Sequence, residues 1–449
     1  MPRCSSGAPA ETRPASSATR RTASILIKAP LMPEIQIVVI VCATILAGFA
    51  ARAIGQPVVV GEMAAGILLG PAVLGSLAPA LQQQLFPADS LGGLQAIAEF
   101  GLMLFMFIVG TELSEPTPDA ARKNDSRLVL WTSAASVAVP LAIGVGCAMA
   151  LSPEMGIPEG QRGRFALFLG TAMSVTAFPV LARMLADHGM LGTPIGRVAI
   201  AVAAVIDIYA WILFAVCTAP SPAHAGTGML LRLSLLPLAC AVAIRFARPR
   251  LAAWLPRPGN GARTQPGESQ LPTLAVVAVV FAAAAAARAA GLHPVLGAFA
   301  IGCCFPSGTA LSEKIKRDLG AIAGRFLMPC YFALAGLSMT RDAFGSGGIA
   351  PLCILLAVAV LSKVFGTAAG ARLGGATWRT GMLLGVLMNA RGLVELILLK
   401  EGLNAGVITP RLYTLMLLVA LITTAMTGGF NTFLVSRRSP HLLAREKAG

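Results

Sequence analysis

Hydrophobic residues in this chain fall in long, nearly uninterrupted blocks separated by short polar stretches. The blocks lie near 34–54, 57–78, 91–113, 127–151, 163–186, 194–218, 227–247, 270–290, 292–306, 319–339, 349–373, 377–400 and 407–434. A run of about 20 apolar residues, wound as a helix, covers the ~30 Å hydrocarbon layer of a bilayer. Barrel strands would instead read as alternating segments of ~10 residues, and that pattern is not present. In lipid, a helix satisfies its own backbone polar groups. The pattern therefore predicts an all-α polytopic membrane protein with about 13 spans. Residues 32–436 form the transmembrane domain, 1–31 a polar, Arg- and Ser-rich disordered or mis-assigned tail, and 437–449 a short cytoplasmic tail.

Composition sharpens this reading. Of 449 residues, 56% are hydrophobic and only 12% charged, against roughly 25% charged in soluble domains. The net charge of +15 fits loops facing the cytoplasm, where Lys and Arg collect. No basic segment interleaves with aromatics as a nucleic-acid groove does, so no nucleic-acid partner is expected. Arg52, Lys123, Arg127, Arg183, Arg197, Lys314, Lys316, Arg317, Arg372, Arg379, Arg437 and Arg438 sit after odd-numbered spans or at the C-terminus. The other loops carry far fewer cations. This predicts a cytoplasmic C-terminus, although the arginines of 1–31 run against it. The nine cysteines show no CxxC pair and read as small buried apolar residues. His188, His224, His293 and His441 are scattered with no metal spacing, so neither a resident metal nor an enzyme is indicated. His293-Pro294 begins a helix, and His293 reads as structural.

An ionisable residue in a span costs at least ~2.5–3.5 kcal/mol at the bilayer centre, which makes such residues candidates for function. Asp207 lies in the middle of AVAAVIDIYAWILFAV with no basic residue within a turn. Lys363, in LLAVAVLSKVFGTAAGA, lies too deep for easy snorkelling. Arg391 and Glu395 stand four apart in MNARGLVELILL, where they can pair with each other. Asn389 and Gly392 beside them suggest a local helix break. Glu62 comes early in its span and reads as a packing or interface residue.

Backbone interruptions form the second signal. In TAMSVTAFPVLARML, Pro179 removes a backbone donor and frees a carbonyl. Thr171, Ser174 and Thr176 place hydroxyls nearby. Free carbonyls and hydroxyls are oxygen ligands for a dehydrated hard cation, or the kink is satisfied by Ser/Thr back-bonding. The interrupted fifth span directly precedes the Asp207 span, and the interrupted twelfth directly follows the Lys363 span. Paired interruptions in the two halves of a chain point to an ion site at a repeat interface.

Several segments resemble one family. VGEMAAGILLGPAVLG, EFGLMLFMFIVGTEL, TAMSVTAFPVLARMLADHGML, VIDIYAWILFAV, HPVLGAFAIG, MPCYFALAGLSM and GVLMNARGLVELILL, in this order from about 34 to 434, resemble the monovalent cation:proton antiporters of the second group. The last segment looks most like the plant exchangers. The resemblance implies 13 helices in an inverted-repeat fold, with a dimerisation panel, a core domain and two broken helices that cross. It implies a homodimer and an elevator-like movement of the core. It implies that Asp207 binds cation or proton, that Thr176 and Ser174 are neighbouring oxygen donors, and that Lys363 stabilises the crossing or the empty acid. Arg391 and Glu395 fall on its broken twelfth span. This sequence departs from the family at Ile206, where Asp, Asn or Gln usually precedes the acid.

The expected activity is secondary exchange of sodium or potassium for protons by alternating access in a bacterial-type inner membrane, with no cofactor. Removal from water favours the protonated carboxyl and a bare cation favours the charged one, so the two ions compete for Asp207. One titrating carboxylate implies one cation per proton. Two other classes stay open at this point: a sodium-coupled symporter of an organic solute, and a potassium efflux pathway.

Overall fold

The computed structural model describes residues 33–113, 123–218, 246, 249–250, 271–290, 292–306, 309–340 and 348–437. The predicted tail 1–31, the predicted span 227–247 (apart from residue 246) and all but the first residue of 437–449 lie outside the described residues.

Every regular element described is helical. In chain order they are α1 (Pro33–Ala53), α2 (Val58–Leu69), α3 (Leu74–Leu77), α4 (Pro79–Leu85), α5 (Ala88–Leu113), α6 (Lys123–Leu151), α7 (Arg162–Ser174), α8 (Phe178–Asp187) and α9 (Pro194–Thr218). Then follow α10 (Leu271–Ala289), α11 (Pro294–Cys304), α12 (Ala310–Ile322), α13 (Met328–Leu337), α14 (Ile349–Leu373), α15 (Trp378–Leu387), α16 (Leu393–Asn404) and α17 (Pro410–Arg437). Among the described residues, nine segments are long and apolar enough to cross a membrane.

The remaining predicted spans have local reasons to differ. The block 292–306 contains a helix of only 11 residues, Pro294–Cys304. The block 319–339 is divided by a π turn, Ala323–Leu327, between polar α12 and apolar α13. The block 377–400 is broken between Leu387 and Leu393. The second block stops being one helix at Gly70, ahead of Pro71, because proline cannot continue a helix.

Helices α6, α7, α9, α14, α15 and α17 pack on one another, and α1, α2, α5, α10, α11 and α13 form a second set. Backbone-to-backbone approaches tie each set together. In the second set, a Cβ on Gly66 or Gly336 would run into the backbone of the facing helix. In the first, Gly366 and Gly370 on α14 and Gly374 at its C-cap, spaced four apart, put their bare faces on Val139, Ala135, Trp131 and Leu128 of α6. Small residues let membrane helices approach this closely, and dispersion then holds them. Cys217, Cys304 and Cys330 are buried as predicted, whereas Cys42 and Cys353 are exposed on their helices, a position that lipid tolerates equally well.

Candidate ion site at the helix crossing

Two broken helices meet in the first set. The first is α7, an extended segment at Val175–Ala177, then α8. The second is α15, a segment at Met388–Gly392, then α16. Proline explains where the first one breaks. Pro179 cannot accommodate a helical carbonyl four residues back, which is Val175, where α7 ends. Pro179 itself lies in the first turn of α8, where its missing N–H costs nothing. The second break lacks proline and relies on Asn389 and Gly392, both weak helix formers.

The breaks are joined side by side. The Ala177 amide donates to the Ala390 carbonyl at 3.0 Å. The Thr176 hydroxyl donates to the Met388 carbonyl at 2.7 Å. Gly392 is required here, because a Cβ would sit 2.7 Å from Val180 Cγ2 and 3.3 Å from Ala177 Cβ.

A helix ending inside a membrane exposes carbonyls that need donors. At the end of α7 these donors are two buried cations. Arg391 donates through Nη1 to the Ala172 carbonyl at 2.8 Å and through Nη2 to the Met173 carbonyl at 2.9 Å. Lys363 Nζ donates to the Ser174 carbonyl and, at 3.0 Å, to the Ser136 carbonyl of α6. The positive charges also oppose the negative end of the α7 dipole. The carbonyls of residues 172–174 are thereby occupied by Arg391 and Lys363, while Ser174 and Thr171 back-bond to carbonyls one turn earlier; the carbonyl that Pro179 itself frees is that of Val175.

Arg391 also pairs with Glu395, Nη1 to Oε1 at 3.1 Å, with both side chains fully buried. Glu395 stands in the first turn of α16, where a negative charge suits the dipole. Thr424 on α17 grips the break from the other side, accepting from the Arg391 amide at 3.0 Å and donating to its carbonyl at 2.8 Å.

Asp207 differs from these charges. It lies at the middle of α9, fully buried, and neither carboxylate oxygen has a hydrogen-bond partner among the described residues. The Phe178 amide, at the positive start of α8, is directed at the carboxylate but falls short of full hydrogen-bond geometry, and the Lys363 ammonium acts on it through charge. Further buried polar atoms around the crossing also lack partners among the described residues: Asn389 Oδ1, Glu395 Oε2 and Arg391 Nε. Ser174 Oγ donates to the Thr171 carbonyl at 2.8 Å and Thr176 Oγ1 to Met388, so neither hydroxyl hydrogen-bonds to Asp207. Ile206 is fully buried in the hydrophobic core.

Cavities approach the crossing from opposite ends of the helices. One, of about 540 Å³, is lined by Phe178, Pro179, Val180 and Leu393 at its inner end and by Glu112, Arg183 and Lys316 further out. Glu62, buried on α2, also forms part of the wall of this cavity and of a neighbouring one of about 520 Å³. On the other side, a cavity of about 190 Å³ is lined by Glu99, His293, Tyr331, Ser338, Lys400, Glu401 and Tyr413. His293 caps α11, accepting from the Val295 amide at 3.4 Å, and its Nε2 lies 3.7 Å from Glu401.

Sequence reasoning picked out Asp207, Lys363, Asn389, Arg391 and Glu395, all of which are buried here. It missed Ser136, Thr367 and Thr424. Thr367 Oγ1 donates to Ser136 Oγ at 2.9 Å beside Lys363. For Ser136 and Thr424 the signal was the polar stripes Thr132-Ser133-Ser136 and Thr423-Thr424-Thr427 inside apolar spans.

Comparison with known proteins bears on what such a crossing does. The family described as "Sodium/hydrogen exchanger, transmembrane" matches residues 37–437. The Na(+)/H(+) antiporter NhaS4 of Synechocystis sp. is 34% identical over 394 residues, 87% of this chain and 94% of that protein. Cation/H(+) antiporter 18 of Arabidopsis thaliana is 34% identical over 403 residues, 88% of this chain but only 48% of that protein. The Na(+)/H(+)-K(+) antiporter GerN of Bacillus cereus is 27% identical over 393 residues, 87% of this chain and 93% of that protein. In fold, the sodium proton antiporter MjNhaP1 of Methanocaldococcus jannaschii superposes with a TM-score of 0.59 at 12% identity, covering 91% of this chain and 98% of that one.

Proposed function

The chain belongs to the sodium/hydrogen exchanger family, and from that premise we propose that its exchange of a monovalent cation for protons runs through Asp207. It is a secondary antiporter and not an enzyme; family membership decides among the three readings that the sequence leaves open. The observation that carries the assignment to Asp207 is its unpaired state. At the crossing, Arg391 has Glu395 and two carbonyls, and Lys363 has two carbonyls, while both Asp207 oxygens are unpartnered among the described residues.

A buried carboxylate without a partner is costly when charged. A proton removes the charge, and a dehydrated sodium or potassium ion neutralises it. Only one of the two occupies the acid at a time, so presenting it alternately to each side exchanges one for the other. The positive start of α8 at Phe178 steadies the carboxylate once the proton leaves. Thr176, Ser174 and Asn389 supply neighbouring oxygens. Ile206 offers no second charge, so the exchange is one cation per proton and electroneutral.

The finer architecture follows the same reading. Thirteen spans form an inverted repeat, the first helix set being the core and the second the dimerisation panel of a homodimer. The C-terminus faces the cytoplasm of a bacterial-type inner membrane, and the cavity bearing Arg183 and Lys316 opens to that side.

The deciding experiment uses everted vesicles from a strain lacking its own antiporters. An acridine dye reports the pH gradient as sodium, potassium or lithium is added. Wild type dissipates the gradient with at least one cation, and Asp207→Asn with none. An Asp207→Asn protein that retains cation-dependent dissipation would rule out the assignment.

A further inference from the structure

We propose that Trp211 and Phe214, with Phe299 packed against them, form the barrier that separates Asp207 from the cavity on the His293 side, and that Trp211 is thereby a coupling residue of the exchange. The proposal rests on the reading of Asp207 given above.

Asp207, Trp211 and Phe214 are four and three residues apart on α9, so they share one helix face. The column continues into the cavity without interruption. Trp211 meets Phe214 edge-on with ring centroids 5.8 Å apart, and Phe214 meets His293 edge-on at 5.5 Å. His293 is itself part of the cavity wall. Trp211 also lies against Phe299 of α11, centroids 6.2 Å apart. Trp211 is 4% exposed and Phe214 1%. Seven helical residues at ~1.5 Å each make this apolar section about 10 Å deep.

The opposite approach to the carboxylate has a different lining. The larger cavity reaches Phe178, whose amide acts on Asp207. On one side Asp207 is thus separated from a roomy cavity by little more than the start of α8 at Phe178, and on the other it faces a column of edge-packed rings. Hydrophobic constrictions stop ions by excluding water, and the rings of Trp211, Phe214 and Phe299 offer an entering ion no oxygen to replace its hydration. Alternating access requires the two approaches never to be open together. The rings bridge α9 of the first helix set and α11 of the second. Sliding of one set past the other would part the rings while leaving the α9 backbone intact.

The indole nitrogen of Trp211 adds a second function. It is buried without a partner among the described residues, one turn from the carboxylate. When the rings part, it is the first donor that entering water meets, which makes Trp211 more than a filler of space.

The test uses purified protein in sealed proteoliposomes. Two quantities are read: cation-dependent proton exchange, and proton leak with no exchangeable cation present. Trp211→Ala is expected to raise the leak at least tenfold over wild type. Trp211→Phe, which keeps a ring, is expected to stay at the wild-type leak. Adding Asp207→Asn to Trp211→Ala is expected to return the leak to background, because the open path passes the carboxylate. A folded Trp211→Ala protein with wild-type leak overturns the proposal, and so does a leak that survives Asp207→Asn. If Trp211→Ala does not insert, Phe214→Ala carries the same expectation and the same refutation. Asp207→Asn alone separates the two ideas: normal exchange in that variant removes the reading of Asp207, whereas loss of exchange there with no leak in Trp211→Ala removes only the barrier.

Discussion

The amide of Ala177 donates to the carbonyl of Ala390 across 3.0 Å, so the two broken helices are stitched backbone to backbone at their weakest points. Each interruption provides the partner that the other lacks. Side chains complete the joint from both directions, Thr176 reaching Met388 and Arg391 reaching Ala172 and Met173.

Arg391 is predicted to be the structural keystone of this joint. Arg391→Leu strips the donors from two carbonyls and leaves Glu395 buried and unpaired. Removing one partner of a buried pair costs about 3–5 kcal/mol. The expected outcome is a large fall in melting temperature in detergent, with Arg391→Leu/Glu395→Leu recovering part of it. A double variant no more stable than the single would show that the pair is not the source.

Lys363 is predicted to matter more for stability than for ion choice. Its ammonium is held by the Ser136 and Ser174 carbonyls. Hydrogen bonds to charged groups contribute ~1.5–3 kcal/mol. Lys363→Gln should therefore melt lower while keeping the wild-type ranking of sodium, potassium and lithium in vesicle flux. A reordered ranking would instead give the lysine a direct part in cation selection.

Gly392→Ala is predicted to push the breaks apart, because its methyl would meet Val180 Cγ2 at 2.7 Å. Overpacking of this kind costs about 1–3 kcal/mol. Exchange should fall sharply with insertion retained, and Val180→Ala in the same chain should restore it. The compensation is the informative part: without it, the crowding argument fails.

Competition for one carboxylate predicts the pH dependence. Cation binding requires the deprotonated acid. Where protons occupy Asp207, lowering the pH by one unit should raise the half-saturating cation concentration about tenfold and leave the maximal rate unchanged. Initial rates over a cation series at several pH values settle this. A maximal rate that falls while the half-saturating concentration holds steady would mean that the two ions bind at different places.

Uninterrupted helices were legible in the sequence almost to the residue. The blocks 194–218 and 349–373 became Pro194–Thr218 and Ile349–Leu373, since apolarity and helix end together there. The π turn at Ala323–Leu327 was not legible, because apolar composition carries no record of a change in hydrogen-bond period. The same logic separates the parts of the site. Asp207, Lys363 and Arg391 stood out because charge in lipid is costly. Their partners did not, because Arg391 holds backbone carbonyls 218 and 219 positions away, and every residue has a carbonyl. The closure of the first break was illegible for a related reason: Pro179 marks where a helix stops but not which donors reach its end.

Gly366, Gly370 and Gly374 set α14 directly on the backbone of α6, and this works as a ruler. A shift of one residue along the seam would drive a Cβ-bearing position onto Val139, Trp131 or Leu128, so the two helices have a single register. Lys363 lies three residues before the first of these glycines, and its anchor Ser136 is on the opposing helix. The depth of its ammonium is thus fixed by main chain rather than by a flexible side chain. Through the Ser174 carbonyl the same ruler extends to the end of α7. α6, α7 and α14 are thereby held as one rigid unit, and the prediction is that a cysteine cross-link between α6 and α14 leaves turnover intact.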